Sequence, residues 1–205
     1  FENETFEKKS TIPCKSDCPI ITIEVPIAKN AKITADSINK KVFLVVKEIT
    51  YFDEDPAKAT DYNMLAQSFI DSYEEMHKKF PTETFGWEAK IIGNVEFHSE
   101  EILNIKIDHY TFTGGAHGYQ GFRSLIFNPK TGKTIFMDQL FINEKEFKAF
   151  AEKKFRKKYK IPAKANINAT GLMFENDKFK LALNIFYTEE GLLLYYNSYQ
   201  AASYA

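Results

Sequence analysis

His117 is the residue from which chemistry could most readily be built. It stands in the run Thr111-Phe112-Thr113-Gly114-Gly115-Ala116-His117-Gly118, where three glycines occupy five positions around it. A histidine on such a loop can serve as acid, base or metal ligand if a carboxylate or further ligands converge on it. His109 precedes it, and the carboxylates within reach in sequence are Asp108 and Asp138. A hydrolase would need His117 and one of these acids in one cleft. Strand alternation argues against part of this, since Asp108 falls on the face opposite to His109, Leu103, Ile105 and Ile107. The favoured reading has His109 closing an apolar face and bonding to backbone, with His117 shaping its loop. His77 and His98 read as surface residues. No catalytic residue, metal site or cofactor is assigned.

The glycine run is not a phosphate loop, because such loops open a helix and this one leads into a strand. It reads either as a bend between two strands or as an exposed contacting loop. The aromatic tail Tyr195-Tyr196-Asn197-Ser198-Tyr199 is equally open: rings covering a sheet, or rigid contact area with polar tips. The expected contact or loop-shaping residues are Gly114, Gly115, His117, Tyr119 and Tyr199. Cys14 and Cys18 flank a short polar stretch. A disulfide is preferred for them and implies an oxidising compartment; free thiols come next, and half of a zinc site last. Glu74-Glu75 and Glu100-Glu101 diverge as neighbours in sequence and read as solvated.

Composition excludes several classes. With 27 basic and 28 acidic side chains there is no electrostatic case for nucleic acid. No apolar run approaches the ~20 residues that cross a bilayer. At 205 residues and 44% hydrophobic, the chain can bury one large core or two small ones. It starts at Phe1 without methionine or signal peptide, and reads as a mature or trimmed chain.

The elements that position these groups follow from periodicity. Residues 1–19 are polar and read as an irregular N-terminal arm. Ile20 to Ala28 alternates as a strand. Ile38, Val42, Val45, Val46 and Ile49 form one helical stripe in a helix running to about Phe52, ended by Asp53-Glu54-Asp55-Pro56. Asp61 caps a second helix to about Lys79, with Leu65, Phe69, Tyr73, Met76 and Phe80 along one side. Phe85 to Phe97, Ile102 to Phe112 and Tyr119 to Phe127 are strands, the last pairing with Lys133 to Phe136 across Asn128-Pro129-Lys130-Thr131-Gly132. Glu144 to Lys160 is a helix with the stripe Phe147, Phe150, Ala151, Phe155 and Tyr159. Phe179 to Tyr187 and Leu192 to Tyr196 make a final hairpin. The order implies α+β: antiparallel sheets with helices packed on one face, in two closely associated subdomains. After the arm, 20–112 forms the first and 113–205 the second.

The run Tyr110 to Gly118, with Phe127 to Lys133, Met137 to Phe141 and Gly191 to Tyr199, resembles a bacterial extracytoplasmic pair of domains of unknown function. That pair occurs in RsiV-like anti-sigma factors that sense lysozyme, ahead of the catalytic domain in some peptidoglycan deacetylases, and in stand-alone lipoproteins. The resemblance covers 20–205. The family's tail continues past a glycine into another strand, so the second subdomain is expected to be truncated at Ala205. No sigma-binding segment or deacetylase domain is present in the sequence. The resemblance implies a non-enzymatic cell-envelope module, periplasmic or at the cell surface, touching the membrane only through a lipid anchor if one precedes Phe1. Its expected partner is a lysozyme-like muramidase or a peptidoglycan fragment.

Overall fold

The computed structural model describes residues 1–14, 17–30, 32–51, 58–82 and 85–203. They form two compact units, Phe1–Thr134 and Ile135–Ala205. The units part after Thr134, not at the division expected after residue 112. The reason is that the strand before the glycine run and the strand after it pair along their whole length.

The first unit runs β1 (Glu2–Lys9), β2 (Ile20–Ile27), α1 (Lys32–Ile49), α2 (Tyr62–Lys79), β3 (Glu88–His98), β4 (Leu103–Phe112), β5 (Tyr119–Phe127). The five strands lie in one sheet in chain order. Every pair is antiparallel except β2 with β3. That parallel pair departs from the expected all-antiparallel sheet. It arises because α1 and α2 carry the chain back over the sheet between β2 and β3, and a parallel pairing requires such a crossover.

One sheet face is apolar. Ile21, Ile23 and Val25 of β2, Ala89 and Ile91 of β3, Leu103, Ile105 and Ile107 of β4, and Leu125 and Phe127 of β5 share one core with the helices. All five residues of the α1 stripe are buried in it. Each contributes about 1.5–3 kcal/mol by leaving water. The Asp61 carboxylate accepts from the Met64 amide at 2.8 Å, so α2 starts where the cap predicts. The expected end of α1 at Asp53-Glu54-Asp55-Pro56 lies outside the described residues.

β1 corrects the reading of 1–19 as an irregular arm. Its charges sit on an edge strand, where they discourage pairing with another chain. Phe6 faces inward opposite Ile23 and stacks on Tyr62 with ring centroids 4.9 Å apart. Beyond β1, the Glu74 carboxylate accepts from the Ser10 hydroxyl at 2.7 Å and the Thr11 amide at 3.3 Å. Glu74 is therefore a tether for this segment, not a merely solvated acid. Cys14 and Cys18 form a disulfide.

The turn after β5 forms as its sequence suggests. Asn128 Oδ1 accepts from the amides of Lys130 and Thr131, both at 3.0 Å. The expected partner strand at Lys133–Phe136 shrinks to one bridge between Phe127 and Thr134. The turn docks on α1 instead, where the Ser37 hydroxyl donates to the Gly132 carbonyl at 2.9 Å.

The second unit holds α3 (Met137–Leu140), α4 (Glu144–Lys158), a 3-10 turn at Glu175–Asp177, and a hairpin of β6 (Asn184–Thr188) and β7 (Gly191–Tyr195). Asn143 caps α4 through the Glu146 amide at 3.2 Å. Its core is aromatic. Phe155 lies 5.5 Å from Phe174, 5.4 Å from Phe179 and 5.6 Å from Tyr196, centroid to centroid. Asn168 pins the long connection, its side chain bonding both the amide and the carbonyl of Phe174. Phe179 to Leu183, expected as strand, precedes β6 without pairing in its ladder.

Candidate functional site

β4 and β5 are joined by the glycine run, and its glycines do two different jobs. Gly114 and Gly115 have φ of 110° and 90°, angles at which a side chain is strained, and a Cβ on either would meet nothing. They make the bend. Gly118 and Gly121 instead permit contact. A Cβ on Gly118 would lie 2.4 Å from the Tyr110 ring, and one on Gly121 would lie 3.0 Å from His109 Nε2.

The bend forms one wall of an open recess of about 290 Å³. Thr113, Gly114 and Gly115 face Met76 and Phe80 at the end of α2, with Phe85 and Trp87 completing the lining. Trp87 is anchored from beneath by Phe69 and Tyr73, at ring distances of 5.7 and 6.0 Å. Phe80 and Phe85 are 50% and 65% exposed. The apolar stripe of α2 thus runs past the sheet that covers it: Leu65, Phe69 and Tyr73 are buried, whereas Met76 and Phe80 emerge at the recess.

His117 is exposed beside the bend, and its Nδ1–H donates to the Gly118 carbonyl at 2.9 Å. It does not line the recess. Tyr119 packs inward, its ring centroid 5.8 Å from that of His109. Tyr199 belongs to the second unit, where it is 58% exposed with φ of 68°. Gly114 and Gly115 are therefore the expected contact residues that the structure brings to the recess. Asp108 lies on the sheet face opposite to His109, as alternation requires, and Asp138 lies in α3 of the second unit. Among the described residues no group of three or more His, Cys, Asp or Glu side chains could hold a metal ion.

His109 corrects a detail. It closes the apolar face, 3% exposed, but neither ring nitrogen bonds to backbone or to any other described group. Burial, with the Arg123 guanidinium adding to it, pushes its pKa down to about 4, so the ring is neutral. His77 is also less of a surface residue than expected. Its ring stacks on Tyr73 at 5.8 Å and its Nδ1 is buried.

The sequence alone does not single out Met76, Phe80, Phe85 and Trp87 as site residues; the structure brings them to the recess. The signal for two of them was present, in an apolar stripe longer than its sheet could cover.

A helix-covered five-stranded sheet with a glycine bend over an apolar recess, followed by a small aromatic-cored unit, defines a two-unit α+β protein. The family model for deacetylase PdaC matches residues 12–120, and that for the protein of unknown function DUF3298 matches 133–205. The chain belongs to the PdaC family and carries a DUF3298 domain after it, which is the expected pair. A DUF3298 family protein from Pseudomonas aeruginosa has a similar fold, with TM-score 0.69 and 19% identity over 99% of this chain and 84% of that one. A DUF3298 family member from Bacteroides fragilis is similar at TM-score 0.68 and 17% identity, over 99% and 86% respectively. No curated protein matches the sequence.

Proposed function

We propose that this chain is a non-catalytic, extracytoplasmic binding module of the cell envelope, and that the recess at the glycine bend receives a protein partner. The observation that carries the reading is the emergence of Met76, Phe80 and Phe85 around exposed glycine backbone. Large apolar side chains left uncovered beside a recess are the usual mark of an interaction surface. Size then favours one ligand class. About 290 Å³ is at the lower edge of small-molecule pockets, which span roughly 300–1,000 Å³. It suits one or two inserted side chains from a protein better than an enclosed sugar.

The resemblance makes a lysozyme-like muramidase the candidate partner, with wall glycan as the competing ligand. The Cys14–Cys18 disulfide and the PdaC family support an extracytoplasmic setting. Among the described residues no helix is long and apolar enough to cross a membrane. His117 spends its Nδ1 proton on its own loop, which supports a shaping role. Calorimetric titration with lysozyme and, separately, with soluble muropeptides tests the proposal. Saturable heat with lysozyme supports it. Heat with muropeptides alone moves the assignment to glycan, and heat with neither refutes the binding reading.

A further inference from the structure

The loop between β1 and β2 reaches the wall of the recess at the glycine bend. Its first residues are pinned to α2, where the Glu74 carboxylate, two positions before Met76, accepts from Ser10 and Thr11. The Ser10 amide donates to the Pro19 carbonyl at 3.2 Å and closes the neck of the loop. Just past the neck, the Ile20 amide donates to the Trp87 carbonyl at 2.9 Å. Asp17 lies directly on Gly86, where a Cβ would overlap the Asp17 carbonyl. Glycine permits that approach. Its two neighbours, Phe85 and Trp87, are walls of the recess.

This contact depends on how Asp17 is held. Its φ is 51°, in the left-handed region that is sparsely occupied by residues other than glycine. The Cys14–Cys18 disulfide ties the residue after Asp17 back across a separation of four. Cross-links over long loops do most for global stability, so one this short acts chiefly on its own turn. Both cysteines are exposed, and solvent reaches the bond.

We infer that the Cys14–Cys18 disulfide is a redox-controlled brace of the recess. Oxidised, it keeps the Asp17 turn on Gly86 and fixes Phe85 and Trp87 for a partner; reduced, it releases them. The inference rests on the partner-binding reading above and adds its regulation. The reaction is thiol–disulfide exchange. A dithiol reductant supplies two electrons and two protons, the S–S bond breaks, Cys14 and Cys18 each gain an S–H, and the reductant closes to its own disulfide. Fixed walls bind with a smaller ordering cost than mobile ones, so affinity follows the oxidation state.

Two readouts separate the brace from the partner. Trp87 is the chain's one tryptophan and is 8% exposed, so its fluorescence reports the recess wall without any ligand. Acrylamide quenching should rise when the intact chain is reduced with dithiothreitol, and in Cys14→Ser/Cys18→Ser, while circular dichroism stays unchanged. Gly86→Ala should raise it with the disulfide intact, because the new methyl displaces Asp17. Calorimetric affinity for lysozyme should fall about tenfold in both variants, measured without reductant so that lysozyme keeps its own disulfides. Equal quenching in the oxidised and reduced chain would overturn the brace. So would global unfolding on reduction, since the bond would then hold the fold and not the recess. A quenching response with unchanged lysozyme affinity would overturn the control of binding. Absence of lysozyme binding by the oxidised chain, with the quenching response present, would refute the lysozyme reading and support the brace.

Discussion

His109 is buried, neutral and without a described hydrogen-bond partner, and this ties stability to pH. Its folded pKa of about 4 lies below the ordinary value of 6.5, so the unfolded chain binds the proton more readily. Its contribution is fully present above about 6.5 and is lost as pH falls towards 4, at up to about 1.4 kcal/mol per pH unit. Urea unfolding at pH 5 and pH 7 should show this loss, and His109→Leu should flatten it. A wild-type stability unchanged across that interval would contradict the assignment. Gly115 makes the complementary case for backbone. Its φ of 90° costs an alanine of order 1–3 kcal/mol although the space is empty. Gly115→Ala should therefore lower the denaturation midpoint, and Gly115→Asn should lower it less, since asparagine tolerates positive φ better.

At the scale of elements, an amphipathic helix carries its stripe beyond the sheet or core that buries it, leaving Met76 on α2 and Phe80 just past its end exposed, and likewise Phe150 on α4 and Tyr159 just past its end. Periodicity reports that a stripe exists but not where its cover ends, so these residues read as core in the sequence. The cap of α2 was legible because it is local, Asp61 bonding an amide three residues on, whereas Asn143, which caps α4 in the same way, was not read from the sequence. Asp61→Ala should cost about 1 kcal/mol in urea unfolding. β1 was illegible because an edge strand has one buried face and carries charge on the rest, which leaves Phe6 as its main inward signal. The turn after β5 was readable from Asn128 to Gly132. The strand expected beyond it was not formed, because the turn's partner is α1 and not a continued ladder. For the same reason the recess was only half visible: the glycines announced a bend, while Phe85 and Trp87 reach it through tertiary packing.

Each unit has its own hydrophobic core, one spread between sheet and helices and the other gathered around Phe155. Phe155→Ala should remove about 3–5 kcal/mol from the second unit. Hydrogen exchange should then show lost protection in β6 and α4 while β3 and β4 keep theirs. Loss of protection in both units together would mean that they unfold as one. Binding, in turn, should follow the recess and not the fold. Phe85 is 65% exposed, so Phe85→Ala removes contact area with little effect on stability. The most direct measurement is the dissociation constant for lysozyme of wild type and Phe85→Ala, by calorimetry, with thermal melts of both. Binding by the wild type that weakens about tenfold or more in a variant of unchanged melting temperature is the expected result. Equal affinity in the two proteins, or no binding by either, would contradict a partner-binding recess at the glycine bend.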